Sequence, residues 1–103
     1  TLTLAGFSFG SFVAFQVAER RPTRQLLTIA PPVRRFDFTK HPVPSAPWVV
    51  VQGDQDELVD WRDVVAWTGQ SVPPPEVVVL PGAEHFFHGR LNHLREAIQA
   101  RLT

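Results

Sequence analysis

Residues 1–20 read TLTLAGFSFGSFVAFQVAER, a strand pattern that runs into a helix pattern through a glycine turn. The β-rich run over 1–5 stops at Gly6, and the helix pattern extends over 9–20. Apolar residues cover most of the circumference of this helix, which predicts that it is buried on all sides. Pro22 disfavours helical geometry at the residue before it, so the helix is expected to end there.

The same alternation of strand and helix continues to the end of the chain. Further strands are predicted over 25–30, 48–52 and 76–80, and further helices over 60–70 and 89–101. The strands are continuous apolar runs, which is typical of a parallel sheet covered on both faces. We therefore predict an α/β fold in which a parallel sheet of about four strands is flanked on both faces by about three helices. The proline-rich stretches are interpreted as loops, so 1–103 is predicted to be one domain.

The chain opens as the body of a strand and contains no methionine. We therefore expect 1–103 to be the C-terminal portion of a longer protein, with an N-terminal part apparently missing. The first strand would then expose an apolar edge. We expect a missing N-terminal segment, or another chain, to pair along that edge.

Composition excludes several classes of function. The 103 residues are 44% hydrophobic and 19% charged, with a formal net charge of zero, so there is no basic surface that would indicate a nucleic-acid partner. The absence of cysteine excludes disulfides, thiolate metal sites and a cysteine nucleophile. No apolar run approaches the roughly 20 residues of a membrane helix, and no signal-peptide pattern is visible. We expect a cytoplasmic protein without a membrane partner, a metal or an organic cofactor.

Polar residues follow three of the predicted strands. The glycine turn at Gly6–Gly10 follows the first strand, Gly53–Asp56 follows the third, and Gly82–His85 follows the fourth. Because the carboxyl ends of parallel strands meet at one edge of a sheet, these three segments are expected to converge.

The first segment has the pattern Gly-x-Ser-x-Gly, centred on Ser8. A sharp strand-to-helix turn forces such a serine into strained backbone angles, and Gly6 and Gly10 are expected to remove the Cβ atoms that would block close packing of the helix. The backbone N–H of Phe9 would then form half of an oxyanion hole at a helix N-terminus. The alternative interpretation is a glycine-rich turn with a serine that caps the helix.

A serine hydroxyl is a weak nucleophile without a base beside it. His85 is the favoured base because it follows the last strand after the Gly82 turn, whereas His88 stands at the start of the last helix and is interpreted as a capping or packing residue. His41 and His93 are given no role.

An imidazole base needs a carboxylate that fixes its tautomer and stabilises its charged form. Asp56 is favoured because it is placed to reach across the cleft. Asp54 is the alternative and is expected to bond turn amides instead. Asp60 is interpreted as the cap of the following helix.

Four segments resemble a group of small bacterial α/β-hydrolases of the dienelactone-hydrolase and acyl-esterase type. These segments are Leu4–Gly10, Ile29–Pro32, Gln52–Asp60 and His85–His88. The resemblance implies that Ser8, Asp56 and His85 form a catalytic triad. It also implies that the chain is the C-terminal half of an α/β-hydrolase fold, since family members carry about 100 further residues before the serine turn, including the loop that gives the second oxyanion-hole N–H. The short 31–47 connection implies an open pocket without a cap domain.

These observations predict a serine hydrolase that cleaves small carboxylic esters or thioesters through an acyl-enzyme. Phe7, Phe86 and Phe87 are candidates to line an apolar pocket, with core packing as the alternative. The second hypothesis is a non-catalytic or fragmentary α/β-hydrolase-like binding module that lacks a complete oxyanion hole.

Overall fold

The computed structural model describes residues 2–102. Its elements in chain order are β1 (Leu2–Phe7), α1 (Phe9–Arg20), β2 (Thr23–Ile29), a 3₁₀ turn (Phe38–Lys40), β3 (Trp48–Gly53), α2 (Trp61–Gly69), β4 (Glu76–Leu80) and α3 (Leu91–Gln99). The predicted α/β fold class is confirmed. Thr1, which the sequence pattern placed in the first strand, lies outside the described residues.

The four strands form one parallel sheet in the order β1-β2-β3-β4. Ala5 of β1 lies opposite Leu27 of β2, and Leu27 in turn lies opposite Val49 of β3. Because every strand runs the same way, the loops that follow β1, β3 and β4 share one edge of the sheet.

Helices cover both faces of the sheet. On one face, Phe15 of α1 and Val64 of α2 belong to the same buried cluster as Trp48 and Val50 of β3. On the other face, Leu94 and Ile98 of α3 pack against a cluster formed by Leu27, Val49 and Val51. Alternate residues of β3 thus face opposite layers, as the twofold repeat of a strand requires.

The prediction that α1 is buried on all sides is wrong. Ala14 and Phe15 are buried against β1 and β2, but Phe9 is 56% exposed and Val13 is 42% exposed. The loop between β2 and β3 covers part of this helix, since the ring centroid of Phe36 lies 5.0 Å from that of Phe9 and 5.2 Å from that of Phe12. The described residues nevertheless leave Phe9 and Val13 partly exposed.

The helix α2 starts as the sequence predicts. Asp60 caps it by accepting a hydrogen bond from the backbone N–H of Arg62, at 2.9 Å. The Arg62 side chain, followed by that N–H, holds the pKa of the Asp60 carboxyl below its ordinary value. Asp60 thus helps to start the helix, and its carboxylate is paired with the Arg62 side chain.

In the part of the chain that the structure describes, no helix is long and apolar enough to cross a lipid bilayer.

The exposed edge of β1 should govern how the isolated chain behaves. Among residues 2–102, β1 pairs with β2 alone, and Leu2 at its start is 55% exposed. An unpaired apolar strand edge is a template for association, so we expect the 103-residue chain alone to be poorly soluble or to self-associate. Circular dichroism and sedimentation of the purified chain measure this.

A matched variant isolates the contribution of the edge. Thr3 lies on β1 and is exposed, so Thr3→Lys places a charge on the edge without disturbing the core. This variant should shift the distribution towards monomer. A stable, soluble monomer of the unmodified chain contradicts the prediction.

Candidate active site

The turn between β1 and α1 holds Ser8 in a strained backbone conformation. Ser8 has φ 54° and ψ −120°, and positive φ is uncommon for a residue other than glycine. The turn is held because the Ser8 N–H donates to the Ile29 carbonyl at 2.8 Å and the Ser8 carbonyl accepts from the Ser11 N–H at 2.9 Å. The Ser8 side chain makes no helix-capping hydrogen bond. Its hydroxyl instead lies 3.2 Å from Nε2 of His85.

Only one of the two glycines in this turn relieves steric crowding. A Cβ atom at Gly6 would lie 2.0 Å from the Gly10 carbonyl oxygen and 2.7 Å from the Ser11 nitrogen, so β1 and α1 approach each other too closely for any side chain there. The same expectation for Gly10 is wrong, because a Cβ atom at Gly10 would have nothing within 4 Å. The close contact is made by the backbone of Gly10, and its own missing side chain would point into open space.

His85 lies between Ser8 and Asp56. Its Nδ1 is 2.7 Å from Oδ2 of Asp56, and the whole residue is only 2% exposed. Two aromatic rings flank the imidazole, with ring centroids of Phe7 at 5.1 Å and Phe86 at 5.0 Å. His88 is different, because its side chain is 79% exposed and pairs with Glu84 at 2.8 Å.

Asp56 is anchored by backbone donors. Its Oδ1 accepts hydrogen bonds from the N–H groups of Leu58 and Val59, both at 2.8 Å, and its side chain is fully buried. An ionised carboxylate only accepts, so Nδ1 of His85 must carry the proton that is shared with Asp56. Nε2 is then the free acceptor, and the Ser8 hydroxyl donates to it. The three side chains therefore form one directed series of hydrogen bonds.

The loops that carry Asp56 and His85 are joined to each other through their backbones. A Cβ atom at Gly53 would lie 2.2 Å from the Ala83 carbonyl oxygen, and that oxygen accepts a hydrogen bond from the Gln55 N–H at 3.0 Å. Asp54 adds a third contact, since its carboxylate accepts from the Gly82 N–H at 2.7 Å. Asp54 therefore bonds a turn amide, as the sequence predicts for this residue.

Two of the three candidate pocket aromatics border the site. Phe7 is 39% exposed and Phe86 is 54% exposed, and their rings lie 6.0 Å apart beside His85. The prediction that Phe87 lines the pocket is wrong, because this residue is only 1% exposed. Its φ of 57° turns the chain so that this ring enters the core while that of its neighbour stays outside.

The backbone N–H of Phe9 is the first of α1. No acceptor among residues 2–102 takes this N–H, which is therefore free to bind an anionic oxygen next to Ser8. No group of three or more His, Asp or Glu side chains in the described residues is arranged to hold a metal ion.

One residue of the site was missed by sequence reasoning. Gln52 of β3 is fully buried, and its side-chain nitrogen lies 3.2 Å from Oδ2 of Asp56. The available signal was a single amide side chain at the end of an otherwise apolar strand, directly before the turn that carries Asp56.

The sequence and the fold are both similar to those of known proteins. No protein-family model matches the chain. An uncharacterized protein of Rickettsia prowazekii is 34% identical over 104 residues, which cover 92% of this chain and 44% of that protein. An α/β serine hydrolase homologue from Coxiella burnetii is 45% identical with a TM-score of 0.89, over 96% of this chain and 48% of that structure.

A member of the α/β serine hydrolases without a lid, from Xanthomonas campestris, is 43% identical with a TM-score of 0.91, over 97% of this chain and 45% of that structure. The chain thus spans about half the length of the proteins it matches. Its four parallel strands and three helices match the C-terminal half of their fold. The chain therefore has the fold of the C-terminal half of an α/β-hydrolase and is similar to the corresponding part of α/β serine hydrolases.

Proposed function

We propose that this chain carries the nucleophile, base and acid of a serine hydrolase that cleaves small carboxylic esters or thioesters in the cytoplasm. The supporting observation is the directed hydrogen-bond series from the Ser8 hydroxyl through His85 to Asp56, with 3.2 Å and 2.7 Å between the bonded atoms. Three separate loops supply these groups at one edge of the sheet, and the strained backbone of Ser8 turns its hydroxyl towards the imidazole.

The first half-reaction transfers the acyl group to Ser8. As Oγ of Ser8 attacks the carbonyl carbon, its proton passes to Nε2 of His85, and the carbonyl electron pair moves onto oxygen. The Phe9 N–H donates to that oxyanion, and Asp56 stabilises the imidazolium. The tetrahedral intermediate then collapses. The bond to the leaving oxygen or sulfur breaks, and His85 returns its proton to the leaving alcohol or thiol.

The second half-reaction releases the acid. Nε2 of His85 takes a proton from water as the water oxygen attacks the acyl carbon, and the bond to Oγ of Ser8 then breaks with return of that proton to the serine. Asp56 must hold its position through both halves. Its two backbone donors, at 2.8 Å each, supply this rigidity.

The surface next to the serine favours apolar substrates. Phe7 and Phe86 expose their rings beside His85, so an apolar acyl or aryl group would gain contact there while its carbonyl lies over Ser8. We therefore expect the protein to hydrolyse small apolar esters.

A fluorophosphonate probe tests the proposal without knowledge of the substrate. Attack by an activated serine displaces fluoride and leaves a stable phosphonyl ester, so we expect mass spectrometry of the naturally produced protein to find the label on the peptide that contains Ser8. His85→Gln should lower the labelling rate by about 100-fold or more, because the serine loses its base.

The second histidine of this loop provides the matched control. His88 is exposed and pairs with Glu84, so His88→Gln should label at the wild-type rate. A folded protein that takes up no probe contradicts the proposal and favours the non-catalytic binding module.

A further inference from the structure

Gln52 is a polar side chain in a place where an apolar one would be expected. All six residues of β3 are buried. Gln52 is on the same face of the strand as Trp48 and Val50, which belong to the core cluster between the sheet and the helices α1 and α2. Burying an amide is destabilising unless its hydrogen bonds are made. The contacts of this amide therefore explain what it does.

The nitrogen of Gln52 has three acceptors around it. Nε2 lies 3.0 Å from the Gly53 carbonyl oxygen, 3.3 Å from the Val59 carbonyl oxygen and 3.2 Å from Oδ2 of Asp56. If the amide were flipped, Oε1 would face three oxygen atoms that accept hydrogen bonds and cannot donate one. The surroundings therefore determine the orientation of the amide.

The oxygen of Gln52 has no partner. Within residues 2–102, Oε1 is the one buried side-chain nitrogen or oxygen without a hydrogen bond. An unpaired buried acceptor is destabilising, and a methionine of similar volume would bury no such acceptor. Core stability alone therefore does not account for a glutamine at this position.

Gln52 completes the set of donors around the Asp56 carboxylate. Leu58 and Val59 donate to Oδ1, whereas Oδ2 accepts from His85 at 2.7 Å and from Gln52 at 3.2 Å. With two donors on each oxygen, the carboxylate can neither rotate nor exchange its oxygens. Without Gln52, His85 would be the only donor on Oδ2.

We propose that Gln52 is a positioning residue that fixes Oδ2 of Asp56 against Nδ1 of His85. This inference rests on the proposed hydrolase function. Gln52 touches neither Ser8 nor the surface on which a substrate would bind, so it acts through Asp56 alone.

The test replaces the donor but keeps the volume. Gln52→Met should lower kcat for a short-chain aryl ester by about 10-fold or more. KM should change by less than about 3-fold, because no substrate contact is removed. The melting temperature should fall modestly, because the carbonyl groups of Gly53 and Val59 lose a buried donor. A solely structural role predicts the same lower melting temperature with an unchanged kcat, so kcat is the measurement that separates the two roles.

Thr28→Val is the matched control. Thr28 is also fully buried, and its hydroxyl accepts a hydrogen bond from Nε1 of Trp48 at 3.1 Å without touching Asp56. This variant loses a buried hydrogen bond of similar kind and should lower the melting temperature while kcat stays at the wild-type value.

A double-mutant cycle shows whether Gln52 acts through Asp56. In an Asp56→Asn background, Gln52→Met should change kcat by less than about 2-fold, because the carboxylate that it positions is already gone. Multiplicative losses in the cycle overturn the proposal. Gln52→His retains an N–H donor, so its kcat should be higher than that of Gln52→Met. If Gln52→Met and Gln52→His both fail to fold, the role of Gln52 is structural and the proposal is wrong.

The outcomes separate this inference from the proposed function. A wild-type protein that neither hydrolyses the ester nor takes up the fluorophosphonate overturns both. A wild-type protein that is active, loses activity on Ser8→Ala and keeps full kcat on Gln52→Met overturns the positioning role alone.

Discussion

Replacing Ser8 with alanine is expected to lower kcat for a short-chain aryl ester by about 10⁴- to 10⁶-fold in the naturally produced protein. The hydroxyl that lies 3.2 Å from Nε2 of His85 is the atom that would carry the acyl group. Alanine tolerates the backbone conformation about as well as serine does, so the free energy of unfolding should change little. Steady-state hydrolysis and chemical denaturation measure the two quantities.

Two further serine variants make this result specific. Ser45 lies exposed in the loop before β3, so Ser45→Ala should keep the wild-type kcat. Ser8→Gly should be as inactive as the alanine variant but more stable by about 1 kcal/mol, because glycine adopts φ 54° without strain. Turnover retained in Ser8→Ala would refute the assignment of the nucleophile.

Gly6→Ala is expected to have the largest effect on stability. The new Cβ atom would lie 2.0 Å from the Gly10 carbonyl oxygen and 2.3 Å from its carbon, and backbone atoms cannot turn aside as a side chain can. The first turn of α1 must therefore move away from β1 and carry Ser8 with it. We expect the free energy of unfolding to fall by about 3–5 kcal/mol, with loss of fluorophosphonate labelling.

Gly10→Ala is the control for this prediction. It makes the same chemical change four residues away, but its Cβ atom would meet nothing within 4 Å. Because alanine favours a helix over glycine by about 1 kcal/mol, stability should be unchanged or slightly higher. Denaturation curves of the two variants give their free energies of unfolding. A Gly6→Ala protein as stable as the wild type would contradict the predicted steric clash.

The sequence predicted the order and type of the elements because each has a clear local pattern. Runs such as Trp48–Gly53 are apolar at every position, which is what a strand with both faces covered requires. The error over α1 has the same origin. An apolar circumference indicates that a helix can be covered all round, but it does not say whether a neighbour is present on the side of Phe9 and Val13.

The candidate site was predicted where residue type and place along the chain were sufficient. Asp56 and Asp54 both follow β3, and only the structure shows that the first meets His85 while the second bonds Gly82. Phe86 and Phe87 are adjacent in an irregular loop, so no repeat indicates which of the two faces inward. Gln52 was missed because its role depends on an oxygen atom four residues ahead, and sequence patterns do not contain that geometry.

The contact between the Asp56 loop and the His85 loop has a consequence for how this site can change. Gly53 and Ala83 join those loops backbone to backbone, so a shift in one loop carries the other with it, and the acid and base move as a unit. Ser8 lies on the turn between β1 and α1 and meets this pair through the 3.2 Å contact between its hydroxyl and Nε2 of His85. A substitution that shifts either of the two joined loops should therefore change the distance from the hydroxyl to the ring more than the distance from the ring to the carboxylate.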